Sequence, residues 1–151
     1  MTVSTRTDLL SVARWHASSP TAWPFAPRYD PRQRWYGRLH TADDHEVWLL
    51  TWLPGQATDL HDHGGSSGAF AVVSGEIVEQ TVRDGSLLNT TMAEGSARRF
   101  GAHHVHRVVN AGTRPAVTVH VYGPALTVMT RYRLHAGRLS VESVSQAGAD
   151  W

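Results

Sequence analysis

The chain has 151 residues, of which 41% are hydrophobic and 18% charged, as expected for one soluble globular domain with a substantial core. Its formal net charge of +1 gives no reason to expect a nucleic acid or an anionic membrane as a partner. Because the sequence contains no cysteine, disulfides, thiolate nucleophiles and zinc–thiolate sites are excluded.

The N-terminal region predicts a short helix followed by an extended arm. Apolar residues recur at helical spacing over residues 5–18, with Asp8 or a threonine before it as the cap. The proline-rich residues 20–31 break this spacing, and Trp23 and Phe25 are the expected anchors of the arm. No apolar run approaches the ~20 residues of a membrane helix, and no signal-type stretch follows the first residues. We therefore expect a cytoplasmic protein.

From residue 34 onward the pattern indicates β-structure. Short segments rich in β-branched and aromatic residues are separated by Gly, Asp, Asn and Pro. The predicted strands cover residues 34–40, 46–53, 69–73, 77–82, 97–100, 105–109, 116–122, 127–134 and 139–144. Such spacing predicts a sandwich or barrel. The expected architecture is a single all-β domain over residues 1–151, with a helix and arm at about 5–33 and a β-barrel at about 34–144.

Three histidines form a candidate metal site. In an extended strand, side chains two residues apart point to the same face, so His61 and His63 present two imidazoles together while Asp62 turns away. His106, brought in by a neighbouring strand, would complete a facial set of three. Such a set binds a divalent first-row metal and leaves positions open for other ligands.

The residues around these histidines resemble the two cupin motifs. The first motif is a glycine, five residues, His-x-His and later glycines, here Gly55, His61, His63, Gly68 and Gly75. In the second motif, which residues 101–110 resemble, a histidine is followed four positions on by asparagine. Cupins are double-stranded β-helix barrels, or jelly rolls. Their usual glutamate ligand is absent, since residues 64–69 are glycine, serine and alanine. The resemblance therefore implies a site of three histidines without a carboxylate.

A narrower resemblance covers about residues 36–124. Four segments, in chain order, are similar to the cysteine dioxygenase type I family: Tyr36-Gly37-Arg38, His61-Asp62-His63, His106-Arg107-Val108-Val109-Asn110 and Thr118-Val119-His120-Val121-Tyr122-Gly123-Pro124. The resemblance implies Fe(II) bound by His61, His63 and His106. It also implies that both atoms of O2 are added to the sulfur of L-cysteine, which gives cysteine sulfinic acid.

The same resemblance implies roles for residues around the metal. Arg38, with Tyr36, would bind the substrate carboxylate, and the planar guanidinium fork suits that group better than a lysine would. Tyr122 would place its hydroxyl near the iron, supported by His120 and Thr118. These three residues alternate along one predicted strand, so they face one side and their spacing allows a hydrogen-bonded relay. The alternatives are that Arg38 pairs with an acidic neighbour and that Tyr122 is a core residue.

One position departs from the animal members of this family. They carry a cysteine after the His-Asp-His segment that becomes crosslinked to the tyrosine, whereas the matching residue here is Gly68. The resemblance therefore implies that Tyr122 is an unmodified phenol.

Several functional alternatives remain open from the sequence. The same chemistry could act on 3-mercaptopropionate or on a thiohistidine such as ergothioneine, whereas Arg38 argues against cysteamine. A further alternative is a non-catalytic metal-binding cupin. The expected partners are a small thiol and O2, and the expected state is a monomer or small homo-oligomer. Whether His103, His104 or Gln56 contacts the substrate is left open.

Overall fold

The computed structural model describes residues 5–146 and contains one α-helix, one 3-10 helix and eleven strands in that part of the chain. Helix α1 (Leu9–Ser18) and the 3-10 helix (Pro20–Ala22) precede the strands. The strands are β1 (Trp35–Thr41), β2 (Glu46–Trp52), β3 (Leu60–His61), β4 (Ser67–Ser74), β5 (Glu76–Arg83), β6 (Ser86–Ala93), β7 (Ala97–Phe100), β8 (His106–Val109), β9 (Ala116–Gly123), β10 (Val128–His135) and β11 (Arg138–Gln146).

Helix α1 begins where a side chain can satisfy its first free N–H groups. The Asp8 carboxylate accepts hydrogen bonds from the Leu10 N–H at 3.1 Å and from the Ser11 hydroxyl at 2.8 Å. The predicted helix is therefore confirmed, but it starts at Leu9 because Asp8, and not the threonines before it, is the cap. Among the described residues, no helix has the length and apolar character needed to cross a bilayer.

The strands form two antiparallel sheets that face each other. One sheet has five strands in the order β1-β2-β9-β4-β7, and the other has six in the order β11-β10-β3-β8-β5-β6. The core between them draws side chains from both sheets, including Trp52, Phe70, Ile77 and Val108. The predicted all-β barrel with a short N-terminal helix is confirmed.

A second core covers the outer face of the five-stranded sheet. There α1 and the arm pack on Val117, Val119 and Val121 of β9, and the predicted anchors Trp23 and Phe25 take part in this packing. Strand β9 is consequently buried along nearly its whole length, because its alternate side chains enter two different cores.

The predicted strands are confirmed to within two residues at each end, and two strands were not predicted. Strand β3 (Leu60–His61) has only two residues, too few for a pattern. Strand β6 (Ser86–Ala93) lies at a sheet edge and is exposed at all but one position, so it has no apolar alternation. The single domain over residues 1–151 stays a prediction, since residues 1–4 and 147–151 lie outside the described part.

Gly68 should be a position where even one methyl group destabilises the barrel. A Cβ there would overlap the Phe100 ring and lie 2.5 Å from the Val121 carbonyl oxygen. We expect Gly68→Ala to lower the free energy of unfolding by about 1–3 kcal/mol, the usual cost of overpacking. Urea unfolding measures this, with Gly101→Ala as control because its Cβ would have nothing within 4 Å. Equal stability of the two variants would contradict the prediction.

Candidate metal centre

The structure brings the three predicted histidine ligands together in the interior. His61 of β3 is paired directly with His106 of β8, and His63 follows two residues after His61. The ring centroids are 4.8–5.0 Å apart, and one nitrogen from each ring lies within 4.8 Å of the others. All three side chains are buried, with exposures of 5%, 1% and 1% for His61, His63 and His106.

Two of the three rings are oriented by hydrogen bonds at Nδ1. His61 Nδ1 lies 2.8 Å from the Asp59 carbonyl oxygen, which only accepts, so this nitrogen donates. His106 Nδ1 lies 2.7 Å from Oε2 of Glu79. In both rings this leaves Nε2 unprotonated and available as a metal ligand.

The third ring, His63, is held by packing instead. It stacks on Phe100 at a centroid distance of 4.5 Å and on Tyr122 at 5.4 Å. Its Nδ1 is buried and has no hydrogen-bond partner among the described residues. A buried polar atom without a partner is costly, and a bound ion is one group that could satisfy a nitrogen of this ring.

Burial keeps these imidazoles uncharged. It lowers the pKa of His61 well below its usual value, and it lowers the pKa of His63 and His106, with neighbouring histidines adding to the effect. At His106 the Glu79 carboxylate opposes this shift without cancelling it. Neutral imidazole is the form that binds metal, so the donor set fits a divalent first-row ion.

A cavity of about 450 Å³ adjoins the histidines. Its wall includes His61, His106, His120 and Tyr122, together with Arg34 and Arg131. Its size lies within the range of small-molecule pockets, about 300–1,000 Å³. The cavity therefore offers a small ligand both potential metal ligands and cationic groups.

The predicted relay on β9 is connected at its inner end. The Trp52 indole N–H donates to Oγ1 of Thr118 at 2.9 Å, and the same oxygen lies 2.9 Å from Nε2 of His120. The hydroxyl proton of Thr118 is donated to His120 when Nε2 is the unprotonated nitrogen of that ring. The Tyr122 ring is next on this face, with its centroid 6.4 Å from that of His120. Trp52 is thus both a residue of the inner core and the anchor of the relay.

Burial also determines the protonation of the two outer relay members. It raises the pKa of the Tyr122 phenol, although the nearby Arg34 partly opposes this. It lowers the pKa of His120 to about 3. At neutral pH, Tyr122 is therefore a hydrogen-bond donor and His120 is uncharged.

The structure does not place Arg38 or Tyr36 on the cavity wall. Arg38 is exposed on the edge strand β1, and its guanidinium carbon lies 5.7 Å from the centre of the Trp48 ring. The Tyr36 ring packs edge-on against the same indole at 5.9 Å. Both residues pack against Trp48, and their binding of the substrate carboxylate stays a prediction.

Arg34 lines the cavity instead. Its guanidinium carbon lies 5.3 Å from the centre of the Trp52 ring. Burial lowers its pKa, which Tyr122 partly offsets, but a guanidinium titrates so far above neutrality that it stays charged. The sequence carried a weak sign of this, because Arg34 shares the even-numbered face with Tyr36 and Arg38. Four residues correspond to about 13 Å along a strand, so the two guanidinium groups start from well-separated positions on the same face.

Gln56, His103 and His104, whose contact with the substrate the sequence left undecided, do not line the cavity. The Gln56 side chain donates to the Asp30 carbonyl at 2.7 Å and accepts from the Leu53 N–H at 2.9 Å, so it fastens the arm to a turn. His103 is exposed, and His104 is hydrogen-bonded to Glu79. Glu79 is a buried residue of the site that the sequence interpretation missed, and the available signal was its position two residues after the apolar Ile77, on the same face of the strand.

Comparison with known proteins identifies relatives of this chain. A family model described as cysteine dioxygenase type I matches residues 5–135. The solved structure of TT1209 from Thermus thermophilus is 27% identical, with a TM-score of 0.59 over 66% of this chain and 90% of that one. A double-stranded β-helix protein from Klebsiella pneumoniae subsp. pneumoniae is 19% identical, with a TM-score of 0.58 over 77% and 90%. An RmlC-like cupin from Desulfovibrio desulfuricans is 18% identical, with a TM-score of 0.56 over 67% and 92%. The predicted cupin fold is confirmed.

Removing any one imidazole of the triad should abolish tight metal binding. A metal present at 100 times its dissociation constant stabilises the folded protein by about 2.7 kcal/mol. We expect His61→Ala, His63→Ala and His106→Ala each to lose most of this stabilisation, measured as the metal-dependent change in thermal unfolding. The exposed His135→Ala is the control and should keep it. A full metal response in any of the three variants would remove that residue from the ligand set.

Proposed function

Because the chain belongs to the cysteine dioxygenase type I family, we propose that it is a non-haem Fe(II) thiol dioxygenase. It adds both atoms of O2 to the sulfur of L-cysteine, so that the thiol becomes the sulfinic acid. The observation that carries this proposal is the buried set of three uncharged imidazoles beside a cavity that contains Arg34 and Tyr122. A dioxygenase needs these elements: a metal site, room for a thiol, and groups that orient it.

The metal would be held by His61, His63 and His106. Once bound, Fe(II) supplies a centre at which a thiol sulfur and O2 can be brought next to each other. The chain's part is to direct three nitrogens at one point and to shield that point from bulk water. Its burial also keeps the ligands in the uncharged form that binding requires.

Arg34 is the group we propose for the substrate carboxylate. Its guanidinium is a fixed cation on the cavity wall, and a planar fork can accept a carboxylate through two parallel hydrogen bonds. Packing over Trp52 restricts the side chain, which lowers the entropy lost on binding. A thiol acid held in this way would present its sulfur in a single direction.

Tyr122 is proposed to orient the reacting groups through its hydroxyl. Its phenol is protonated at neutral pH, so it offers one hydrogen-bond donor to the cavity. His120 and Thr118 support it from the same strand, and the Trp52 indole holds the inner end of this row. The donor would thus be in place before the substrate arrives.

A second candidate is the same reaction on another thiol acid. The cavity wall also includes Arg131, Glu142 and Ser143, so polar groups extend beyond the space next to the histidines. These residues could serve 3-mercaptopropionate or a thiohistidine such as ergothioneine. A cytoplasmic location and a monomeric or small homo-oligomeric state stay predictions.

The proposal is tested by O2 uptake of the protein loaded with Fe(II) under anaerobic conditions. L-Cysteine, 3-mercaptopropionate, ergothioneine and cysteamine are offered separately, and the products are identified by mass spectrometry. We expect uptake with cysteine and one sulfinate formed for each O2 consumed. Turnover of another thiol acid alone would keep the chemistry and change the substrate. Iron-loaded protein that consumes no O2 with any thiol would instead be a non-catalytic metal-binding cupin.

Two arginine variants test whether Arg34 or Arg38 binds the substrate carboxylate. A charge-assisted hydrogen bond contributes about 1.5–3 kcal/mol, so Arg34→Gln should lower kcat/KM for cysteine by about 10- to 150-fold. The loss should appear mainly in KM, because iron binding does not involve Arg34. Arg38→Gln is the matched control and should leave cysteine kinetics nearly unchanged. A loss of kcat/KM in Arg38→Gln but not in Arg34→Gln would identify Arg38 as the residue that binds the substrate carboxylate.

A further inference from the structure

Glu79 is a buried carboxylate for which the proposed reaction has no direct use. It lies in the middle of β5 with a relative exposure of 0%. Strand β5 pairs with β8, the strand that carries His106, and Thr81 is the residue directly opposite His106. Glu79 therefore approaches the metal ligand His106 from the side away from the other two histidines.

Both carboxylate oxygens of Glu79 are engaged. Oε2 lies 2.7 Å from Nδ1 of His106 and 3.0 Å from Nε2 of His104. Oε1 is not aligned for a hydrogen bond, but a guanidinium nitrogen of Arg98 on β7 lies 2.6 Å from it. The short separation of opposite charges makes this an ion pair, so three side chains converge on one carboxylate.

This arrangement keeps the carboxylate ionised. The Arg98 cation lies 2.6 Å from Oε1 and offsets part of the cost of burying the negative charge, and the two histidine rings contact Oε2. Burying a charge is costly, and an apolar residue of similar size is often as stable or more so. A carboxylate in this position therefore points to a role at the site rather than in stability.

We propose that Glu79 is a positioning residue of the metal centre. Its carboxylate holds the Nδ1–H of His106, which directs Nε2 of that ring toward the nitrogens of His61 and His63, while Arg98 holds the carboxylate in place. The inference rests on the proposed metal site. It adds an anionic partner outside the ligand set, which orients a ligand and increases its basicity.

The three ligands differ in the partner that each has. His106 has a carboxylate, His61 has the Asp59 carbonyl, and His63 has only ring packing. His106 is therefore the most strongly donating of the three. Loss of Glu79 should weaken the metal site through this one ligand and leave the other two as they are.

A rival arrangement uses the same residues. Ligand atoms of Glu79, His104 and His106 also lie within 4.8 Å of one another, as a direct metal site would require. The Arg98 cation 2.6 Å from Glu79 disfavours a metal ion there, because like charges repel. His104 distinguishes the two, since only the rival arrangement uses it as a ligand.

The experiment is a Co(II) titration of the metal-free protein, followed by the visible absorption of the bound ion. We expect Glu79→Gln to weaken Co(II) binding about 10- to 100-fold and to change the absorption bands, as removal of such a partner does elsewhere. Glu76→Gln is the matched control, since Glu76 lies on the same strand but is exposed. Thermal unfolding of the metal-free variants separates any loss of stability from a loss of affinity.

Three results would overturn the inference. The first is a Co(II) affinity of Glu79→Gln within about twofold of that of the parent chain, together with an unchanged absorption spectrum. Loss of a hydrogen-bond partner of a metal ligand should weaken binding more than this. The second is His104→Leu that loses as much affinity as His61→Ala, which would place the ion in the rival site. The third, which needs no variant to fold, is nitrogen NMR of the Zn(II)-loaded parent chain showing His106 protonated at Nε2. Failure of the parent chain to bind any metal would instead refute the proposed function.

Discussion

The site depends on burying ionisable rings while keeping them uncharged. His61, His63, His106 and His120 are all nearly inaccessible to solvent, and burial lowers the pKa of each. Two packed sheets and a second apolar core outside β9 keep these rings buried. The helix and arm lie far from the histidines in sequence, but they cover the outer face of β9, the strand that carries the relay. They therefore help to keep the site buried.

Much of the fold and the ligand set could be predicted from residue spacing. His61 and His63 lie an even number of residues apart, as do Thr118 and Tyr122, so each pair faces one side of an extended chain. This depends only on local backbone geometry and can be predicted from sequence. The apolar outer residues of β9 carry the same period. Strands β3 and β6 could not be predicted, since one is too short for a pattern and the other is exposed at the edge of its sheet.

The residues that were missed depend on geometry that periodicity does not encode. Arg34 and Arg38 share the same parity, so alternation cannot say which one reaches the cavity; that depends on where β1 begins and on which strand is its neighbour. Glu79 becomes meaningful only because β5 pairs with β8 in a particular register. Both are consequences of strand pairing between segments far apart in sequence.

The space beside Gly68 limits which side chains can stand next to Tyr122. Gly68 is directly opposite Tyr122 in the sheet, where a cysteine side chain would be adjacent to the phenol. The Phe100 ring fills that volume, and the same ring stacks on His63. A larger side chain at position 68 would therefore compete with the Phe100 ring for this volume, and through that ring it would disturb the packing of His63.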